Sequence, residues 1–196
     1  MTGYTISDIP GLPTVLQIVS LIFLKTLGWR RECGPPDIPQ YVVVAAPHTS
    51  NWDFPFGLAF IFSWKMKVYW MGKHTLFRRP YGWFFRWLGG IPIDRTKSIN
   101  AVAQSVQAFR EIPQLVMMIS PEGTRRKVKE WKTGFYHIAQ GAGVPIVPAF
   151  LDFRKKTGGF GKIMNPTGNV EADMDAIRAF YAGVSGKYPE KSSAAA

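Results

Sequence analysis

The run Tyr41-Val42-Val43-Val44-Ala45 constrains this chain more than any other stretch. Its β-branched residues predict a short buried strand, and the apolar segment 54–64 that follows predicts a helix. Ala46-Pro47-His48-Thr49-Ser50-Asn51-Trp52-Asp53 is therefore a strand-to-helix turn. The same alternation recurs downstream. Strands are expected at 68–71, 91–93, 115–119 and 144–150, and helices at 80–88, from Ser98 or Asn100 to Ile112, at 133–141 and at 171–182, with a hairpin-like piece at 160–164. This order predicts an α/β fold: a mainly parallel central sheet flanked by helices. A length of 196 residues suits one principal domain, expected over 34–186, preceded by an interfacial helix and linker over 1–33 and followed by a disordered tail over 187–196.

His48 and Asp53 lie five apart, which in a continuous helix rotates them by about 140° and keeps them from touching. With His48 in the turn and Asp53 in the first helical turn, the carboxylate can accept a hydrogen bond from one imidazole nitrogen and leave the other as a base. Asn51 or Ser50 is expected to cap the helix, and Pro55 falls where its missing N–H costs little. A structural histidine is the plain alternative for a lone pair of this kind, so the other stretches decide.

The strand 115–119 delivers Ser120-Pro121-Glu122-Gly123-Thr124-Arg125 at its C-terminal end, where open α/β sheets bind ligands. Arg125, Arg126, Lys127, Lys129 and Lys132 crowd the next segment. Such a run is usually a solvated face, but beside a strand end it also suits a phosphate. The net charge of +11 points to an anionic partner. RRM, zinc-finger and helix-turn-helix signatures are lacking, so nucleic acid is not favoured over anionic lipid or a phosphorylated small molecule. The three histidines, His48, His74 and His137, share no metal-ligand spacing, and no metal site is expected. Cys33 is the single cysteine, which excludes an internal disulfide.

Aromatic residues make up 14% of the chain, which suggests contact with lipid or a membrane interface. Residues 12–29 are mostly apolar but interrupted by Thr14, Gln17, Ser20, Lys25 and Thr26, marginal for a spanning helix. An amphipathic interfacial helix fits better, with Leu16, Val19, Ile22 and Phe23 on one face and Arg30 and Arg31 meeting anionic head groups. No secretory cleavage pattern is read at the start of the chain. The expected location is peripheral or monotopic on the cytoplasmic face of a membrane. The aromatic segment 80–88, with Arg86, would suit a lipid interface or a core helix almost equally.

Taken in order, His48-x4-Asp53, Gly90-Ile91-Pro92-Ile93-Asp94-Arg95, Pro121-Glu122-Gly123-Thr124-Arg125 and Val144-Pro145-Ile146-Val147-Pro148-Ala149 resemble the four-block pattern of the glycerolipid acyltransferases, whose best-known member acylates 1-acylglycerol-3-phosphate. The resemblance implies that His48 takes a proton from an acceptor hydroxyl, that Asp53 holds its tautomer, and that the hydroxyl attacks an acyl thioester directly. A Gly-x-Ser-x-Gly elbow is absent, in keeping with a route without an acyl-enzyme. It further implies that Glu122, Gly123 and Thr124 shape the acceptor site, that Arg95 and Arg125 hold the acceptor phosphate, and that Pro148 shapes the sheet beneath. The expected partners are a lysophospholipid acceptor, acyl-CoA or acyl carrier protein as donor, and an anionic membrane surface, with no cofactor beyond the donor. Ser120 replaces the family's usual aromatic, Arg126 its common serine, and Pro92 interrupts the second block. Two other classes remain open: an acyl-thioester hydrolase using the same base on water, and a non-catalytic basic protein that binds membranes or nucleic acid.

Overall fold

The computed structural model describes residues 5–93 and 98–193. In chain order its elements are α1 (Leu12–Thr26), β1 (Arg30–Arg31), β2 (Gln40–Ala45), α2 (Asp53–Ser63), β3 (Val68–Lys73), α3 (Gly82–Trp87), β4 (Gly90–Ile93), α4 (Ser98–Glu111), β5 (Leu115–Ile119), α5 (Gly134–Ala142), β6 (Ile146–Asp152), β7 (Thr157–Phe160) and α6 (Val170–Tyr181). Among the described residues the strands form one seven-stranded sheet in the order β1-β7-β6-β2-β5-β3-β4. All neighbouring pairs are parallel except β6 and β7, which form an antiparallel hairpin.

β2 sits at the centre, and its valines show why the sheet must be covered twice. Val42, Val43 and Val44 are all fully buried. Since side chains alternate across a strand, Val42 and Val44 enter a core with Phe135 and Ile138 of α5 and Ile177 of α6. Tyr41 and Val43 enter the opposite core with Ile61 of α2 and Met66. The result is the mainly parallel three-layer α/β arrangement that the alternation of elements predicts.

Several boundaries differ from the sequence expectation. The hairpin turn lies earlier than 160–164, and its tightness comes from Asp152, whose Oδ1 accepts hydrogen bonds from the N–H groups of Arg154 and Lys155, each at 3.0 Å. The helix expected from Pro80 begins at Gly82. Residues 30–31, expected to belong to a linker, are an edge strand: the Arg30 N–H donates to Lys156 O at 2.9 Å and the Glu32 N–H to Gly158 O at 3.0 Å. Arg31 is committed to the protein, donating from Nη1 to Ser63 O at 2.9 Å with its guanidinium 5.6 Å from the Trp64 ring.

α1 packs on α2 through Phe23, whose ring lies 5.4 Å from that of Phe56, and through buried Leu24. The expected shared face of Leu16, Val19, Ile22 and Phe23 is split, with Leu16 and Phe23 half-buried and Val19 and Ile22 outward. The outward stripe is Val15, Ile18, Val19 and Ile22, each 54–58% exposed. No described helix is long and apolar enough to cross a membrane. Of the expected disordered tail, residues 194–196 lie outside the described residues, and 187–193 are held to the body through backbone N–H groups: Tyr188 donates to Thr49 Oγ1 at 3.2 Å and Ser193 to Glu122 Oε1 at 3.3 Å.

Candidate active site

β2 and β5 are parallel neighbours with Val44 opposite Ile119, so the loops after them leave the sheet at the same edge. One loop carries His48 and the other Glu122. Beside them, Val44 also stands opposite Pro148 of β6. There the buried Tyr181 hydroxyl is inserted between the two strands, donating to Val44 O at 2.6 Å and accepting from the Ala149 N–H at 3.2 Å. Burial pushes the Tyr181 phenol well above its usual range, so it stays neutral in this role.

The turn before α2 is held from within. Asp53 Oδ2 lies 3.0 Å from His48 Nδ1 and accepts hydrogen bonds from the Thr49 and Ser50 N–H groups, each at 2.8 Å. Neither Asn51 nor Ser50 caps α2 as expected: the N-cap is Trp52, with no side-chain cap bond, and Asp53 reaches back to the turn that precedes the helix, while Ser50 Oγ accepts from the Trp52 N–H at 3.1 Å. With its Nδ1 proton given to Asp53, the imidazole keeps Nε2 as its basic nitrogen. Asp53 Oδ1 is buried and has no hydrogen-bond partner among the described residues.

Glu122 holds the same turn from outside. It is only 2% exposed. Its Oε2 accepts from the His48 N–H at 2.6 Å and its Oε1 from the Ser193 N–H. Burial raises its carboxyl above the usual value, partly offset by those two backbone donors. Pro121, Gly123 and Thr124 line the neighbouring cavity, but Glu122 does not. Its geometry is that of a brace under the His48 turn rather than a wall of the cavity.

The cavity has a volume of about 1340 Å³, above the roughly 300–1,000 Å³ typical of drug-sized ligands. His48 and Asp53 line it at the sheet edge. From there it extends between α2 and the sheet along apolar residues such as Gly57, Ile61, Trp64, Met118 and Phe160. Lys73, Arg125, Arg126 and Lys132 also line it, facing Asp53 and Glu130 as the acidic groups. Such a distribution favours an anion near the base and an apolar chain beyond it. Gly123 adopts φ +61°, a left-handed conformation that glycine takes without strain.

His48, Asp53, Gly123, Thr124 and Arg125 therefore meet around one cavity, with Glu122 directly behind. Arg95 lies outside the described residues. Sequence reasoning missed Lys73, because β3 runs two residues beyond its expected end, and it missed the C-terminal segment altogether. That segment passes close to the turn: Gly186 lies against Thr49, where an added Cβ would come within 2.7 Å of Oγ1, and Lys187 Nζ sits 4.6 Å from the Trp52 ring centroid. Ser193 Oγ further accepts from the Val128 N–H at 2.9 Å. The hydrogen bonds among these contacts are donated by backbone amides, which leave no pattern in a sequence.

Three comparisons bear on this geometry. The 1-acyl-sn-glycerol-3-phosphate acyltransferase of Escherichia coli (strain K12) is 33% identical over 131 residues, covering 62% of this chain and 52% of that protein. The enzyme of the same name from Streptococcus pneumoniae is 30% identical over 114 residues, covering 58% and 42%. The chain spans about half the length of these curated relatives. The crystal structure of the 1-acyl-sn-glycerophosphate (LPA) acyltransferase PlsC from Thermotoga maritima aligns with a TM-score of 0.61 at 18% identity, over 86% of this chain and 78% of that one, which shows a common fold. Residues 33–152, which contain β2, the His48 turn and the Glu122 loop, match the family model described as Acyltransferase, and the chain belongs to that family.

Proposed function

We propose that this protein transfers a fatty acyl group from an acyl thioester to the free hydroxyl of a lysophospholipid, 1-acyl-sn-glycerol-3-phosphate, in phospholipid biosynthesis. The observation that carries the reading is a His48 base, oriented by Asp53 at 3.0 Å, at the sheet edge of a cavity with cations at that edge and an apolar extension. The named activity of the relatives supports the choice of substrate.

In this mechanism His48 Nε2 removes the acceptor hydroxyl proton as the oxygen attacks the thioester carbonyl carbon. The tetrahedral intermediate collapses by breaking the C–S bond, and the departing thiolate takes the proton from the imidazolium. Asp53 is a positioning residue: it fixes the Nδ1–H tautomer and stabilises the imidazolium while it lasts. Arg125, with Arg95, would hold the acceptor phosphate, and Gly123 and Thr124 would shape the acceptor pocket. The donor is acyl-CoA or acyl carrier protein, and no cofactor is required by these steps. The exposed apolar stripe of α1 supports a peripheral or monotopic position on the cytoplasmic face of a membrane, where the acceptor resides.

Incubation with a long-chain acyl thioester, with and without lysophosphatidic acid, tests the proposal. New diacyl product is expected only with the acceptor. Free acid in both reactions and no diacyl product would overturn it in favour of hydrolysis, and no turnover in either would leave a binding protein.

A further inference from the structure

The segment from β3 to α3 is not absorbed by this chemistry. Between Asp53 and Asp94 the sequence contains no Asp or Glu but six basic residues: Lys65, Lys67, Lys73, Arg78, Arg79 and Arg86. The structure spends the inner side of α3 on packing, with the Phe85 ring 6.2 Å from both Phe54 and Trp70. The outer side is different. Tyr81 and Trp83 are 70% and 69% exposed, and Leu76 and Phe84 about 40%. Arg78 and Arg79 are exposed in the turn between them.

We infer that the surface of Leu76, Tyr81, Trp83 and Phe84, with Arg78 and Arg79, docks on an anionic lipid bilayer, independently of α1. The inference rests on the lipid-acceptor reading above and assigns it a surface. Charge selects the occupant: Arg78 and Arg79, exposed in a stretch that has no acidic residue, attract a negatively charged membrane and repel a second copy of the same face. Chemistry agrees, since Trp and Tyr rings belong at the boundary between head groups and acyl chains. Position agrees as well, because Lys73, Leu76 and Phe85 also line the cavity. A bilayer seated on α3 would therefore lie at an opening through which a lipid could reach His48. α1 and α3 both pack against α2, Phe23 meeting Phe56 and Phe85 meeting Phe54.

Flotation of the full chain with substrate-free vesicles tests the inference, using phosphatidylcholine alone and a mixture with 30% phosphatidylglycerol. Tyr81→Ser with Trp83→Ser should weaken binding to the anionic vesicles about tenfold or more. Arg78→Gln with Arg79→Gln should weaken it roughly 20- to 30-fold while binding to neutral vesicles changes little. Brominated lipid should quench wild-type tryptophan fluorescence more than that of Trp83→Phe, a mild change that keeps the experiment decisive if the double variants do not fold. Undiminished vesicle binding by folded double variants, or equal quenching of wild type and Trp83→Phe, would overturn the inference. So would loss of a solution dimer in the variants with vesicle binding unchanged, which would make the face a contact between copies. Because the vesicles hold no substrate, docking is read independently of turnover: docking here with no diacyl product in the separate thioester and lysophosphatidic acid assay would sink the acyl-transfer reading and leave this inference standing, and product in that assay without docking here would do the reverse.

Discussion

The turn around His48 and the outer surfaces of α1 and α3 flank the same helix and are held in opposite ways. In the turn, three consecutive backbone N–H groups, those of His48, Thr49 and Ser50, are each fixed by a carboxylate, and both carboxylates are buried. α1 and α3 are attached through ring contacts such as Phe23–Phe56 and Phe54–Phe85, and their outer faces are apolar and exposed. The difference fits the roles proposed for the two regions. Proton transfer requires an atom held within tenths of an ångström, which only directional bonds provide, whereas seating on a bilayer requires area, which non-directional packing can present. Substitutions in the turn should act as switches, and substitutions on the helices as graded weakening.

The contrast breaks most sharply at His48. His48→Ala should lower turnover by about 10²–10⁴-fold with the fold intact, and Asp53→Asn by about 100-fold, since the amide can no longer enforce the basic Nε2 tautomer. Near-normal diacyl product from folded His48→Ala protein would remove the mechanism. Next is Arg125→Ala, expected to reduce kcat/KM for lysophosphatidic acid by roughly 10- to 150-fold, the loss of one charge-assisted bond, while background thioester hydrolysis stays nearly constant. Equal losses in both reactions would move Arg125 from the acceptor to the donor.

Glu122→Gln tests the outer brace. Both carboxylate oxygens accept from backbone N–H groups, and a glutamine has only one acceptor oxygen, so one donor faces an amide NH₂ instead. The expected cost is about 1–3 kcal/mol of stability and roughly tenfold in kcat, with KM little changed. The raised carboxyl adds a sign that can be checked. The folded state holds the Glu122 proton more tightly than the unfolded chain, so this group's contribution is full below the ordinary carboxylate range and is lost as pH rises through the raised value. The stability gap between wild type and Glu122→Gln, read by urea denaturation, should therefore narrow from acidic to neutral pH. A gap that widens would show that the charged form is the favoured one in the fold. The smallest effect is expected on α1, where Val15→Ser with Ile22→Ser should weaken vesicle binding several-fold, without altering turnover of a water-soluble short-chain acceptor. A switch-like loss of that turnover would erase the contrast between the two regions.

Much of this was legible from residue types alone. The valines of β2 and the alternation of elements specify the mainly parallel sheet, and the five-residue spacing of His48 and Asp53 anticipates a contact that only a turn can make. What escaped was carried by main-chain atoms or by short polar pieces. Arg30 and Arg31 form an edge strand of two residues with no apolar pattern to mark it. Lys187 to Ser193 reads as a polar tail because its bonds to Thr49 and Glu122 come from N–H groups that almost any residue possesses. Glu122 was expected at the acceptor because the family resemblance implies that place for it; its partners in the structure are backbone amides, and nothing in its own identity announces them.

Because both carboxylates grip the backbone at 48–50, the turn retains its shape-holding bonds whatever side chain stands at position 48. The base is in that sense a removable part in a permanent socket. Chemical complementation becomes conceivable: in His48→Gly, imidazole supplied from solution could occupy the place beside Asp53 and accept the proton. Recovery should be saturable in imidazole and absent when Asp53 is replaced as well. Under the proposed function, the same socket would make the His48→Ala protein a trap that holds donor and acceptor together without consuming them.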